Sequence, residues 1–371
     1  MSQINQTSEG SRLVFDLGGT CVRTAFVHSS GAIDPDTRKS DTIAKTITTR
    51  EGLRDLIVET IVSRGLQQRM HVLSLAGPIS ADNRVIRKYT NVLRDEFDIP
   101  ISEMVEQEVR RRTGNTITFF VIKDAVAATM AEMGAGGAAS DRDEVIALIL
   151  GTGTGGAPCR RGSDGRIDFP DALADLGHHQ LDPGNTEPCN CGSRGCVELS
   201  TSGTGVVRSF NRRSRDSETY AESALYRVRG RAPGSISAED IAWAAARGDR
   251  FTLALLRAAA LALALLLKNI FTSHPAITVV LVGGFALGVG VPLLTSVREA
   301  LIEIGLPFIK KSELAQYVKS RLLLGRIPGD DTNLIGARLF LSQAERERAE
   351  DPREMGRRPP ACAQKEIPGT S

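Results

Sequence analysis

The chain carries almost no net charge: 46 Lys and Arg stand against 44 Asp and Glu in 371 residues. That balance removes any electrostatic case for nucleic acid or an anionic membrane as the main partner. An export signal is lacking too. The first dozen residues, MSQINQTSEGSR, are polar, with neither the apolar core of a signal peptide nor an Arg-rich amphipathic pattern. No apolar run is long enough to span a bilayer. The greasiest stretch, FTLALLRAAALALALLLKNIF (251–271), is interrupted by Arg257 and Lys268, which leave ten apolar residues between them. It reads as a buried helix. Of six cysteines, Cys21, Cys159 and Cys362 are scattered and suggest no disulfide framework. These absences predict a cytoplasmic protein with no membrane and no nucleic acid among its partners. The length predicts two domains with sizeable cores.

The other three cysteines are concentrated in CNCGSRGCVE (189–198). Three thiols in a polar, Gly-rich loop suit a metal better than a core. A soft tetrahedral ion such as zinc fits them and needs a fourth ligand. Spacing alone leaves His178 and His179, adjacent in DLGHHQL, both open for that place.

Glycine is clustered in two similar segments. RLVFDLGGTCVRTAFV (12–27) is an apolar run, an acid with paired glycines, then a second β-prone run; VIALILGTGTGGAPCRRG (145–162) repeats the layout. Gly lets a backbone turn tightly and brings amide N–H groups close to a ligand. Neither segment has the Lys-Ser or Lys-Thr of a GxxxxGK[ST] loop, and neither leads at once into a clear helix, as a dinucleotide fingerprint requires. A strand–Gly turn–strand unit occurring twice predicts a duplicated α/β fold, with two phosphate-contacting hairpins facing a cleft between two lobes. HVLSLAGPI (71–79), TITFFVIKDA (116–125) and AITVVLVGGFA (276–286) add buried-strand candidates. AVAATMAEMGAG (125–136) reads as a helix with a glycine stop. Further helices are expected around 237–247, 251–271 and 330–350, and residues 351–371 read as a disordered tail.

In order along the chain, DLGGT, KDAVAA, GTGTGG, LGHHQL and CNCGSRGCVE resemble the ROK family of sugar kinases and repressors, with C-x-C-G-x-x-G-C-x-E matched in full. The resemblance covers roughly residues 12 to 345. It implies the actin-like, hexokinase-type ATPase fold: a small lobe over 12–124, a large lobe over 125–331, a helix over 332–350 packing back on the small lobe, and the tail. ROK repressors carry an N-terminal helix-turn-helix domain; DLGGT begins here at Asp16, so an enzyme is expected rather than a transcription factor. The resemblance also selects His178 as the fourth zinc ligand, with Cys189, Cys191 and Cys196. It places that imidazole against the sugar, so the metal is read as structural and orienting, fixing which ring nitrogen faces the substrate.

The same resemblance assigns the chemistry of phosphoryl transfer, which needs a base, donors around the phosphates and a divalent ion. Asp124, after the apolar run FFVI, is the expected catalytic base. Asp16 is expected to hold the Mg²⁺ that accompanies ATP, as hard oxygen ligands suit that ion. Gly18, Gly19 and Thr20 would form one phosphate turn, and Gly151, Thr152, Gly153, Thr154, Gly155 and Gly156 the other. Gly283 and Gly284 match a turn that lets adenine approach the backbone. Gly77, Asn91, Asp124, His178 and Glu198 fall on hydroxyl-binding positions. A homodimer is expected, as is common in the family.

Three positions depart from the family pattern. The Asn before the catalytic Asp is Lys123, the Glu of E-x-G-H is Asp175, and the Pro, Gly and Trp that usually follow the Asn are replaced by VLRDEF (92–97). An amide donates and accepts, whereas a lysine only donates and adds charge. Lys123 and Asp175 are therefore expected to reshape the acceptor pocket. The sharper expectation is a sugar-like polyol other than ordinary glucose: within the family, a seven-carbon cyclitol of the valiolone type from aminocyclitol antibiotic biosynthesis, phosphorylated on its primary hydroxyl. A glucokinase, or a kinase of another hexose or an N-acetylhexosamine, is the alternative. A sugar-sensing regulator without turnover is the alternative of another class, disfavoured by the retained Asp16 and Asp124.

Overall fold

The structure, a computed structural model, describes residues 10–18, 21–42, 47–89, 93–169, 175–182 and 184–350. The expected tail therefore lies outside the described residues. Two compact units make up the chain. The first takes the residues up to Ala135, Pro158–Ala174 and everything from Asn333 onward; the second takes Gly136–Ala157 and Asp175–Thr332.

In the first unit, Arg12–Leu17 (β1), Cys21–Val27 (β2), Lys39–Thr42 (β3), Met70–Leu75 (β4) and Thr118–Lys123 (β7) form a sheet in the order β3-β2-β1-β4-β7. Ile86–Tyr89 (β5) and Leu93–Ile99 (β6) pair as a separate antiparallel ribbon. β1 and β2 are antiparallel, with Asp16 opposite Arg23. β4 lies parallel to both β1 and β7. Every residue of β4 is buried, which is why it shows no apolar–polar alternation. Helices Arg50–Thr60 and Ile101–Thr113 pack with this sheet around Phe15, Leu53, Ile57, Val105 and Phe119.

The last helix, Gly329–Glu350, returns to this unit from Asn333 onward. Phe340 packs edge-on against Phe120 at 5.8 Å between ring centroids and tilted against Phe169 at 6.1 Å. Ile167 donates its N–H to Gln343 Oε1 at 2.9 Å, and Gln343 Nε2 returns a bond to the Ile167 carbonyl at 3.2 Å. Arg338 donates to the Gly10 carbonyl at 3.2 Å, tying the last helix to the start of the described chain.

The second unit repeats the pattern. Glu144–Leu150 (β8) and Thr154–Arg161 (β9) are joined by a Gly turn; β9 ends within the first unit, where Ile167–Asp168 (β10) pairs with Arg161 and Arg160. Thr278–Val282 (β11) lies parallel to β8 and to Leu322–Leu324 (β12). The order β9-β8-β11-β12 matches β2-β1-β4-β7 of the first unit, as the repeated motif predicts. The fold is that of the actin-like ATPases.

Counting only the uninterrupted run understates helix Arg250–Ser273: with its flanking turns included it is, among the described residues, the one helix long and apolar enough by length and composition to cross a membrane. Its face bearing Leu256, Ala260, Leu263, Leu267 and Ile270 lies in the core of this unit, alongside Val279, Leu281 and Val297. Asp249 caps it, accepting the Thr252 N–H at 2.9 Å.

Candidate active site

The first unit places Asp16 at the end of β1, 2% exposed, where its Oδ2 accepts from Arg23 Nη1 at 3.2 Å and its Oδ1 from Asn333 Nδ2 at 3.0 Å. Burial pushes this carboxyl up; Arg23, then Asn333 and Ser74, pull it back. A buried carboxylate with hard oxygens at the mouth of a Gly turn fits a divalent ion such as Mg²⁺, which would spread the charge of nucleotide phosphates. Gly18 donates its N–H to the Cys21 carbonyl at 3.0 Å, closing the turn. The Tyr89 hydroxyl donates to the Gly18 carbonyl at 2.6 Å and fixes it from β5. Gly19, Thr20 and Asn91 lie outside the described residues.

Asp124 opens the helix Asp124–Met133 directly after β7, and its Oδ1 accepts the Ala125 N–H at 2.7 Å. Negative charge suits a helix N-terminus. Asp124 and Asp16 both reach Tyr89: burial first, then the charges of these two carboxylates, push its phenol up. Lys123 is 1% exposed, at the last position of β7 opposite Leu75. A buried ammonium next to Asp124 is an expensive feature to keep and needs partners. Gly77 belongs to the bend after β4, where an added Cβ would come within 2.5 Å of the Lys88 carbonyl. Its size is set by that contact.

The second unit brings together His178 and the three clustered cysteines. One ligand atom from each of His178, Cys189, Cys191 and Cys196 lies within 4.8 Å of the others. His178 Nδ1 is 3.6 Å from Cys189 Sγ, and Cys191 Sγ is 3.6 Å from Cys196 Sγ. Zinc bonds of about 2.3 Å to sulfur in a tetrahedron put sulfurs about 3.8 Å apart, so the donor set fits zinc in size and chemistry. Burial pushes the Cys189 thiol up to about 12, and Cys196 upward as well, a cost that a coordinated cation offsets. The loop can fold this way because Gly195 adopts φ +67°, where an added Cβ would lie 2.1 Å from the Asp182 carbonyl. Pairing of Gln180 with Cys196 joins the loop to the strand-like segment after His178. His179 is exposed and outside the cluster. With Nδ1 turned to the thiols, His178 Nε2 lies 4.0 Å from Asp175 Oδ2, and Asp175 caps the short 3₁₀ turn by accepting the Gly177 N–H at 3.4 Å.

The Gly151–Gly156 segment sits beside this loop. Gly203 donates its N–H to the Gly151 carbonyl at 2.7 Å, and Glu198 Oε2 accepts the Thr154 N–H at 2.9 Å. Thr152 is exposed; Thr154 is buried, with its hydroxyl 3.0 Å from that of Thr201. Gly283 has φ +93°, and a Cβ there would lie 2.8 Å from the Leu150 carbonyl; Gly284 then starts the helix Gly284–Val289. Gly329 closes in on this pair, its hypothetical Cβ 3.3 Å from the Gly284 nitrogen. In this unit Gly203 approaches Gly151, Gly283 approaches Leu150 and Gly329 approaches Gly284, so Gly203 and Gly329 join the expected glycines of the second unit.

Sequence reasoning missed Arg23, Tyr89, Gly203, Gly329 and Asn333. Arg23 could have been found, because a hairpin turning at Gly18 puts it opposite Asp16. Asn333 reaches Asp16 across 317 positions, a pairing no local pattern announces.

Against known proteins, a model described as the ROK family matches residues 12–339. A glucokinase of Thermotoga maritima is 32% identical over 296 residues, 79% of this chain and 87% of the relative. A C(7)-cyclitol 7-kinase of Streptomyces hygroscopicus subsp. limoneus is 26% identical over 340 residues, 87% of this chain and 92% of the relative. Among solved structures, a ROK family glucokinase from Streptomyces griseus in complex with glucose and AMPPNP superposes with a TM-score of 0.69 at 25% identity, covering 89% of this chain and 98% of that one.

Proposed function

The chain belongs to the ROK family and is an ATP-dependent phosphotransferase acting on sugars; from that premise we propose that its acceptor is a seven-carbon cyclitol of the valiolone type, phosphorylated on the primary hydroxyl. The observation that carries this reading is Lys123. A buried ammonium stands beside Asp124, where the family pattern has a neutral amide. It offers donors only, so hydroxyls bound there must accept. The Asp175 carboxylate, shorter than the family's Glu, retreats by one methylene on the His178 side. A cyclitol has carbon in place of the ring oxygen and carries a keto or hydroxyl group at the former anomeric position. Hydrogen-bond partners along that edge must therefore differ in reach and in donor or acceptor sense. The likeness to a cyclitol kinase over most of both chains supports the same substrate class.

In this reading Asp124 receives the proton of the primary hydroxyl as the terminal phosphoryl group of ATP is transferred to its oxygen. Asp16 would hold the divalent ion that accompanies ATP, and the Gly18–Thr20 and Gly151–Gly156 turns would present backbone N–H groups to the phosphates. His178, Asp175 and Glu198 would hold acceptor hydroxyls, and zinc held by His178 and the three cysteines would orient the imidazole. The work within an antibiotic pathway is part of the proposal, inferred from the substrate class.

A second reading is a hexose kinase, favoured by the 32% identity to a glucokinase. The two separate on one measurement. ATP consumption with a panel of valiolone, glucose, mannose and N-acetylmannosamine should favour the cyclitol over glucose by at least roughly tenfold in kcat/KM, about 1.4 kcal/mol. Comparable values for glucose and the cyclitol would leave an ordinary hexose kinase. No turnover of any polyol would favour a sugar-sensing regulator.

A further inference from the structure

Glu198 touches both the cysteine loop and the second glycine turn. Its Oε1 lies 3.6 Å from Cys189 Sγ, while its Oε2 accepts the Thr154 N–H at 2.9 Å. A Cβ built on Gly153 would lie only 2.6 Å from Oε2, so the carboxylate is pressed directly against the turn. The residues behind it are held firmly. Gly203 N–H bonds the Gly151 carbonyl, Thr201 and Thr154 share a hydroxyl contact, and the Thr201 hydroxyl also donates to the Val197 carbonyl at 2.9 Å.

This arrangement contains a conflict. A turn that cradles phosphate does so by aiming backbone N–H groups at an anion. Here the Thr154 N–H is already taken, and by another anion. One N–H cannot serve a carboxylate and a phosphate oxygen at the same time, and two negative groups at that separation repel. Nucleotide phosphate can use this donor only after Glu198 has moved away from it.

We infer that Glu198 is a positioning residue that couples the two substrates: it occupies the Thr154 N–H while the acceptor site is empty and releases it when an acceptor hydroxyl binds the carboxylate. This inference rests on the proposed function, specifically on Gly151–Thr154 as a phosphate turn and Glu198 as an acceptor ligand. Its consequence is positive coupling: acceptor tightens nucleotide binding, and nucleotide tightens acceptor binding by the same factor. It also means that ATP alone meets a turn whose donor is blocked, which disfavours transfer to water when no polyol is present. The Gly153 position gains a reason beyond turn geometry, since any side chain there would push the carboxylate off.

The test is direct calorimetric titration of the intact protein with AMPPNP and Mg²⁺, without acceptor and then with saturating glucose as the probe polyol. Glu198→Met keeps much of the length of the side chain and removes both its charge and its acceptor oxygens. Gly153→Ala keeps the charge and displaces the carboxylate. Both variants should bind AMPPNP more tightly than the wild type without acceptor, by about fivefold or more, the lower end of ordinary coupling factors. In the wild type glucose should recover at least part of that gain; in Glu198→Met it should add none. A merely structural bond gives the opposite sign, because losing it loosens the turn and weakens nucleotide binding. Unchanged or weaker AMPPNP affinity in the variants overturns the inference while leaving the proposed function intact. A wild type and variants that bind no AMPPNP at millimolar concentration overturn the phosphate-turn reading itself. Either variant alone decides the sign if the other does not fold.

Discussion

Asp16 and Arg23 face each other on the antiparallel strands β1 and β2, with the guanidinium 3.2 Å from the carboxylate at the mouth of the first glycine turn. The pair sets the charge state of the proposed ion-holding residue. Burial pushes the Asp16 carboxyl up, and Arg23 is the largest influence opposing it. Arg23→Met removes that opposition, so the carboxyl rises further. In the proposed function ionised Asp16 is the form that would hold a divalent ion, so activity is expected to fall as pH is lowered through its titration. The acid limb of kcat/KM for ATP should therefore move to higher pH in Arg23→Met and return toward the wild-type position in Arg23→Lys. A limb that does not move would detach Arg23 from the charge of Asp16. The same raised carboxyl has a stability consequence. A folded-state value above the unfolded one stabilises at low pH and loses that contribution as pH rises. Asp16→Asn should then abolish turnover yet raise Tm at neutral pH, relative to the wild type.

Asp124→Asn preserves the helix start and the hydrogen bond from Ala125, because an amide oxygen accepts as a carboxylate does. It removes the proposed proton acceptor. We expect kcat to fall by on the order of 10²-fold or more, with much smaller change in acceptor binding measured by calorimetry. A variant that retains most of its turnover would mean that the proton leaves by another route.

The proposed specificity residues can be tested by reversal. Lys123→Asn with Asp175→Glu restores the family pattern at both departures. The double variant should lose activity on the cyclitol by roughly 5- to 150-fold in kcat/KM, the effect of about 1–3 kcal/mol from one good buried hydrogen bond. Its relative use of glucose should rise. If the two substitutions are drift, the preference stays where it was or only glucose improves.

Protein purified without chelator should contain about one zinc per chain by elemental analysis. A strong chelator should remove the metal together with thermal stability, since metal binding and loop folding share one free energy. Cys191→Ser, at the exposed ligand, should lower both zinc content and Tm. Metal-free protein of undiminished Tm would contradict a structural role.

His71 supplies a pH test of the first unit. It is buried on β4 against Gly65, and burial pushes its imidazole down to about 4, outweighing the opposing influence of the Gln68 backbone. The unfolded chain takes up a proton below about 6.5 whereas the folded one does not, so stability falls as the pH is lowered between these values. The loss attributable to His71 between pH 7 and pH 5 should be about 2 kcal/mol by denaturant titration. His71→Leu should flatten that slope. An equally steep slope in the variant would place the acid sensitivity elsewhere.

Much of this architecture could be read locally. Apolar runs that end in glycine placed β1, β8 and β11, and the spacing of CNCGSRGCVE pointed to the candidate metal loop around Gly195. The choice between His178 and His179 required family resemblance, and the contact of His178 Nδ1 with Cys189 agrees with it. Tertiary pairings resisted local reading. The hydrogen bond from Tyr89 to Gly18, the approach of Gly329 to Gly284 and the bond from Asn333 to Asp16 join distant positions through backbone and amide groups that have no sequence signature. Glu198 was expected to hold substrate; its bond to Thr154 depends on how a short helix, Glu198–Thr201, is set against the turn.

The two units also differ in when they can be completed during synthesis. The second is closed by the time Thr332 has been made, whereas the first needs residues from both ends of the chain. Arg338 reaches the Gly10 carbonyl across 328 positions. Contacts of such long range carry a loop-closure entropy that must be met before they stabilise anything. A nascent chain can therefore shape the cysteine loop and the second glycine turn while Asp16 still waits for Asn333. The first unit, with the proposed base and ion-holding carboxylate, becomes competent only after its last helix has been translated, so the unit with the candidate metal loop is finished before the unit with the proposed base.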